Sequence, residues 1–366
     1  MQVKPSVRGL KPYQPGKTPE QVREELGLER VVKLASNENP YGASPEVAKA
    51  VTESLVNVAV YPDGAARALR KETASRLGVQ DNQLLFGNGS DEVILILCRA
   101  VLEHGDNIVT AWPTFPQYRH NAVIEGAEVK EVPLQEGFHD LQAMASEVDS
   151  RTKIVFVCNP NNPSGTHTGA DEFRAFMKQI PEDVIVVSDE AYKEYVDTDD
   201  YPDTLSMIDE YPNLLVLRTF SKAYGIASLR VGYGVGNVEL IAAVEPGREP
   251  FNTNSAAQAG ALAALKDVQF LDRCVSSNSA EKRKFEQFCE ENGFHYYPSQ
   301  ANFILMSVDL PGGDVFDHLQ RNGFIVRNGE ALGFPRHVRI TFGRPEDNDR
   351  IQEELLALRQ EEAGVD

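Results

Sequence analysis

The chain is poor in the features that mark several whole classes of protein. It has one tryptophan and four cysteines in 366 residues, and Cys98, Cys158, Cys274 and Cys289 lie far apart without metal or redox spacing. That spacing excludes a disulfide scaffold and a zinc module, and no metal is expected. Cys98 and Cys158 fall inside apolar runs and read as buried free thiols. No run reaches the roughly 20 apolar residues of a membrane span. The opening "MQVKPSVRGLKPYQPGK" lacks an apolar signal core, so the expectation is a cytoplasmic protein without a membrane partner. Basic charge is also scarce: 36 Lys and Arg face 55 Asp and Glu, a formal charge of -19. Such a surface disfavours nucleic acid. Repeats, low-complexity segments, a Walker lysine and a GxGxxG fingerprint are all missing.

Apolar content of 42% and charged content of 25% are those of an ordinary globular protein. Residues 1–45 are rich in Pro, Gly and charge, and read as an extended arm. From 46 to 250 near-continuous apolar strands alternate with amphipathic segments. Strands are expected at Gln83–Phe86, Asn107–Thr110, Glu128–Val132, Lys153–Cys158, Val184–Ser188, Leu214–Leu217 and Gly232–Gly236. Helices are expected at Asp91–Glu103, Leu141–Val148 and Asp171–Gln179. This pattern predicts an α/β fold with a mostly parallel seven-stranded sheet covered by helices on both faces. Residues 251–366 have another rhythm: one long helix (Ser255–Asn292), short strands at Asn302–Ser307, Phe324–Val326 and Val338–Phe342, and a last helix from Pro345 to Glu361. They predict a smaller α+β domain, to which the N-terminal arm returns.

Lys222 stands in "LRTFSKAYGIASLR", just beyond a buried strand, with Ser221 before it and Arg230 eight residues later. A lysine amine adds to an aldehyde only when deprotonated, which nearby positive charge favours. Ser and Arg are residue types that hold a phosphate. Lysine beside a phosphate clamp suggests pyridoxal 5'-phosphate. "LLFGNGSDEVILILCRAVL" runs from a strand through Gly87 and Gly89 into a helix at Ser90-Asp91, with Ser90 read as the N-cap and the first-turn amides as an anion site. "VFVCNPNNPSGT" puts Asn162 in a proline-stiffened loop after a strand, where its amide can donate to a ring oxygen. "VIVVSDEAYKEY" ends a strand on Asp189, Glu190 and Tyr192. A carboxylate there can pair with a protonated pyridine nitrogen, and Tyr192 can donate to the ring's phenolic oxygen. "AWPTFPQY" places Phe115 for stacking on a planar ring, and "VRNGEALGFPRHVRITFG" offers Arg327 and Arg339 for a carboxylate or phosphate. "VYPDG" reads as a turn. Each motif alone also fits a plain turn, cap or core role; the set falls at the strand ends of one sheet.

These motifs, with "GLKPYQPGK" and "VKLASNENPYG" near the start, closely resemble the aspartate-aminotransferase-type (fold type I) pyridoxal-phosphate enzymes. The N-terminal motifs narrow the resemblance to the histidinol-phosphate branch and its aromatic-aminotransferase relatives. The resemblance implies that Lys222 binds the cofactor's aldehyde and shuttles the proton at Cα. Asp189 then pairs with the pyridine nitrogen, Tyr192 and Asn162 bond the phenolic oxygen, and Phe115 stacks on the ring. Ser90, Asp91, Ser221 and Arg230 hold the phosphate, joined by Tyr61 from the partner subunit of a homodimer. Arg339, Arg327, Tyr13 and Asn37 would bind the substrates, histidinol phosphate and glutamate or 2-oxoglutarate. Phe115, Ser164 and Ser228 stand where relatives commonly have Tyr, Thr and Gly. An aromatic amino acid aminotransferase shares every cofactor residue and is the alternative. A decarboxylase and a non-catalytic regulator on the same fold are more distant ones.

Overall fold

The computed structural model describes residues 3–10 and 16–364. A seven-stranded sheet forms its centre: β2 (Leu84–Gly87), β3 (Asn107–Trp112), β4 (Glu128–Pro133), β5 (Thr152–Cys158), β6 (Ile185–Asp189), β7 (Leu214–Thr219) and β8 (Gly232–Gly236). Their order across the sheet is β2-β8-β7-β6-β5-β3-β4. Only β8 runs against its neighbours, β2 and β7. Two antiparallel steps restore direction, so β2 points the same way as β7. The carboxyl ends of β2, β3, β5, β6 and β7 therefore share one edge, where α/β sheets collect ligands. All seven strands lie where the apolar runs place them, to within one or two residues.

Successive strand residues point to opposite faces. Phe86, Val109, Val155, Val186 and Val216 enter one buried cluster. Leu85, Ile108, Phe156, Val187 and Leu215 enter the other. Helices cover both, and each buried side chain of this size contributes about 1.5–3 kcal/mol. Within β7, buried Arg218 pairs with buried Glu190 at 2.6 Å, and Thr204 and Ser188 also donate to that carboxylate. A charge pair placed there depends on that full set of partners.

A four-stranded sheet of order β12-β13-β10-β9 is formed by β9 (His295–Tyr296), β10 (Phe303–Ser307), β12 (Arg327–Asn328) and β13 (Val338–Thr341). It packs on its own cluster, which includes Phe285, Ile304, Phe324 and Ile351. The expected return of the arm is found: β1 (Val32–Lys33) pairs in parallel with β11 (Phe324–Ile325). The arm itself departs from the extended reading. Pro19–Leu26 is a helix, capped by the Thr18 side chain on the Gln21 amide and the Gln21 side chain on the Thr18 amide. The expected single helix over 255–292 is also two, Ser255–Lys266 and Val268–Asn292. Asp267 leaves helical geometry at φ -89° and ψ 69°, and its side chain caps the second helix at the Phe270 amide. The first of the pair packs against the helices Pro45–Ser54 and Arg67–Leu77. Among the described residues no helix is long and apolar enough to cross a membrane.

Candidate active site

One cleft opens at the shared strand edge and continues toward β12, β13 and the residues just after β1. Lys222 lies three residues past β7. Its Nζ donates to the Ser36 backbone oxygen at 3.0 Å and sits 5.8 Å from the centre of the Tyr192 ring. Burial and then the Arg339 charge push the Lys222 pKa down to about 8; Asp91 and Glu38 oppose this, and Arg230 adds to it. A lysine so placed is partly neutral near physiological pH and able to act as a nucleophile or base.

Asp189 closes β6 and is buried. Its Oδ2 accepts from the Tyr118 hydroxyl at 2.7 Å. Its Oδ1 is buried with no hydrogen-bond partner among the described residues. Burial raises the Asp189 pKa to about 6; the Tyr118 hydrogen bond holds it down, Asp91 and Glu190 raise it further, and the nearby Ala191 amide favours the charged form. A buried carboxylate oxygen without a donor is costly, and Asp189 lines a cleft able to hold one. Tyr192 follows three residues later, and its hydroxyl accepts from Asn37 Nδ2 at 2.9 Å. Burial pushes that phenol well up, so it stays a hydrogen donor.

Asn37 holds the left-handed conformation at φ 57°. Its backbone and side chain both bond the Thr341 hydroxyl at 3.0 Å, and its carbonyl accepts from Asn302. Asn37 thus ties the segment that carries Ser36, Lys222's carbonyl partner, to β13 and to Asn302 just before β10, and orients Tyr192.

The anion cup lies at the start of the helix Ser90–Val101. The cap is Gly89 at φ 85°, and Ser90 is the first helical residue, which corrects the reading of Ser90 as N-cap. The first-turn amides have no carbonyl below them and face outward. Crowding makes the glycines necessary: a Cβ on Gly89 would come within 2.6 Å of Arg230 Nη2, and one on Gly232 within 2.4 Å of the Ser90 nitrogen. Arg230, itself left-handed at φ 54°, donates to Ser221 Oγ at 3.3 Å and to Asp91 Oδ2 at 3.2 Å. The Asp91 carboxylate therefore orients the guanidinium.

Phe115 and Asn162 line the same cleft, after β3 and β5. Arg339 of β13 donates to Asn162 Oδ1 and, at 2.7 Å, to the Ala35 oxygen. Arg327 of β12 pairs in register with Arg339 and also lines the cleft. Tyr13 lies outside the described residues. Tyr61 does not reach its own chain's cleft: it is 78% exposed and stacks on Phe251 at 4.7 Å. Sequence reasoning passed over Tyr118, Ser36, Lys17 and Lys33, all at or beside the cleft. Tyr118 was within "AWPTFPQY", three residues after Phe115 and in the helix Gln117–Glu125. Only the fold shows that it meets Asp189.

These residues fit pyridoxal phosphate. An orphaned buried carboxylate oxygen suits a protonated ring nitrogen, a glycine-lined helix start beside Arg230 suits a phosphate, and a lysine of lowered pKa suits the aldehyde.

The family model of aminotransferase class I and II matches residues 29–355. The chain is 57% identical to the histidinol-phosphate aminotransferase of Geobacillus thermodenitrificans over 361 residues, 99% of each chain. It is 51% identical to that of Bacillus subtilis (strain 168) over 362 residues, again 99% of each. Among solved structures, the histidinol-phosphate aminotransferase of Sinorhizobium meliloti in complex with pyridoxal-5'-phosphate is similar at a TM-score of 0.88. It shares 26% identity and covers 97% of this chain and 98% of that one. The chain belongs to the class I and II aminotransferase family, within its histidinol-phosphate aminotransferase branch.

Proposed function

We propose that this chain is a pyridoxal-phosphate-dependent transaminase that moves an amino group between L-histidinol phosphate and 2-oxoglutarate, in histidine biosynthesis. The products are imidazole-acetol phosphate and L-glutamate. The observation that carries this is the full-length match to histidinol-phosphate aminotransferases at 57% identity. The aromatic alternative has no comparable observation in its favour. Bound, the cofactor supplies an aldehyde to take the amino group and a ring to take up electron density from Cα.

The protein's own residues do the rest. Lys222 Nζ, with its lowered pKa, is the group that takes the proton from Cα of the amino donor in one half-reaction and gives a proton to Cα of the acceptor in the other. Asp189 Oδ1 is offered to the ring nitrogen and favours its protonated form. Tyr192 and Asn162 are assigned to the phenolic oxygen, with Asn37 holding the Tyr192 hydroxyl. Phe115 covers a ring face. The Ser90 and Asp91 amides, Ser221 and Arg230 hold the phosphate.

Arg339 and Arg327 receive the substrate's phosphate or carboxylate. They make a locally basic mouth, together with Lys17 and Lys33, on a protein of net charge -19. Such a mouth concentrates anions against the global field.

We also assign a homodimer in which Tyr61 completes the partner's phosphate cup. Leu55, Val56, Val58, Val60 and Tyr61 are all more than half exposed, and Phe251 beside them is 44% exposed. An apolar patch of this kind marks a contact surface. Four buried free thiols suit a reducing compartment, so we place the enzyme in the cytoplasm.

The test is turnover. With 2-oxoglutarate as acceptor, histidinol phosphate should be used far better than phenylalanine; the reverse preference would overturn the assignment.

A further inference from the structure

Asp189 accepts a hydrogen bond on Oδ2 from the Tyr118 hydroxyl at 2.7 Å, has the Ala191 amide beside it, and leaves Oδ1 unpartnered among the described residues. Tyr118 is fully buried and held on two sides. Its ring stacks on Phe156 at 4.5 Å and 11°, and meets the edge of Phe115 at 5.6 Å and 76°. These ring contacts hold the hydroxyl oxygen against the Asp189 carboxylate, with the Cys158 thiol as its other neighbour. The two charged groups that act on the Asp189 carboxylate most, Asp91 and Glu190, are both acidic and oppose its ionisation. One donor on Oδ2 does two things. It stabilises the ionised carboxylate, because a neutral acid gains less from accepting a hydrogen bond. It also fixes the rotation of the carboxyl, so that Oδ1 is the oxygen left for a donor in the cleft.

We infer that Tyr118 is a positioning residue for the cofactor, acting through Asp189 to hold an ionised, correctly turned carboxylate against the ring nitrogen. This rests on the reading of the cleft as a pyridoxal-phosphate site. Tyr118 touches no reacting atom. It acts on the cofactor through the carboxylate it grips. Without its hydroxyl, Asp189 would be a buried carboxyl favoured in its neutral form, and a neutral acid does not stabilise a protonated pyridine.

The experiment compares binding of two ligands to the apo-protein by equilibrium titration: pyridoxal 5'-phosphate and its 1-deaza analogue, which has carbon in place of the ring nitrogen. The wild-type protein should prefer the nitrogen-containing cofactor. Tyr118→Phe keeps the stacked ring and should weaken pyridoxal phosphate about 10-fold to 100-fold, the range for a lost hydrogen bond to a charged group. Affinity for the analogue should stay unchanged. Asp189→Asn should remove the preference outright, and adding Tyr118→Phe to it should change nothing more. Circular dichroism of the apo-proteins checks that each variant is folded. Equal weakening of both ligands, no weakening, or an additive loss in the double variant overturns the inference by making Tyr118 a packing residue. A wild-type protein without any preference for the ring nitrogen overturns the role of Asp189 itself, and this inference with it.

Discussion

Lys222 Nζ donates to the backbone oxygen of Ser36, 186 residues earlier in the chain, at 3.0 Å. The contact joins the edge of the seven-stranded sheet to the segment between β1 and Asn37. It also gives the ammonium an acceptor while the buried site and Arg339 work against its charge.

That conflict sets a pH signature in the apo-protein. The Lys222 pKa is lowered from 10.5 to about 8 on folding. Between those values the unfolded chain holds a proton that the folded chain has lost, so this group raises stability as pH rises from about 8 to 10.5. Below about 8 the folded protein carries the unfavourable charge in full. Lys222→Met should therefore gain most relative to wild type at pH 7, and lose that advantage by pH 10. Denaturant melts of both apo-proteins across this range check it. The same variant should lose transamination by at least about 10³-fold, since it removes the proton-transfer group.

Asp189 carries the opposite sign. Its pKa is raised from 3.8 to about 6, so the folded apo-protein is destabilised by an ionised buried carboxylate above pH 6 and relieved as pH falls toward 3.8. Asp189→Asn should melt higher than wild type at pH 7 without cofactor, and the gap should close near pH 4. Saturating pyridoxal phosphate should reverse the order at pH 7, because only the carboxylate gains a cationic partner. Thermal melts with and without cofactor decide this.

Arg327 and Arg339 should separate by substrate. Arg339 also supports Asn162 and Ala35, so Arg339→Gln is expected to impair both half-reactions and to lower stability. Arg327→Gln should act mainly on the phosphate substrate, whose greater charge makes the second guanidinium count for more. An increase in KM for histidinol phosphate of about 10-fold, with a smaller change for 2-oxoglutarate, fits one lost charge-assisted contact. Steady-state kinetics on both substrates provide the check.

The assignment of Tyr61 to the partner's cup has a subunit-mixing test. Lys222→Ala and Tyr61→Ala proteins are each impaired alone. If Tyr61 works across the interface, a heterodimer of the two has one site with both native residues, and mixing should restore activity. If Tyr61 serves its own chain, both sites of the heterodimer remain defective and mixing restores nothing.

Much of this protein was legible in its residues. Near-continuous apolar runs such as Leu214–Leu217 cannot be satisfied outside a covered sheet, and each of the seven became a strand. The cleft residues Phe115, Asn162, Asp189 and Lys222 were readable as a group because they end or follow those runs, and strand ends with a shared direction meet. The misses have local causes. The arm helix was signalled by Thr18-Pro19-Glu20-Gln21, a capping box that the surrounding Pro, Gly and charge obscured. The break at Asp267 has no Gly or Pro beside it, and the apolar rhythm runs straight through. Ser90 looked like a cap, but the left-handed Gly89 was needed to let Arg230 approach.

The sequence by itself determined the sheet and set Lys222, Asp189, Asn162 and Phe115 at its strand ends, because hydrophobic period and turn chemistry act over a few residues. Tertiary structure alone decided what those residues do to one another. That Lys222 is held at Ser36, that Asn37 orients Tyr192, that Asp91 is bound to Arg230, and that Tyr118 grips Asp189 are contacts between segments 71 to 186 residues apart for the first and last of these pairs. Charge shifts at such contacts depend on burial and on distances of about 3 Å, and neither exists until the chain has closed on itself.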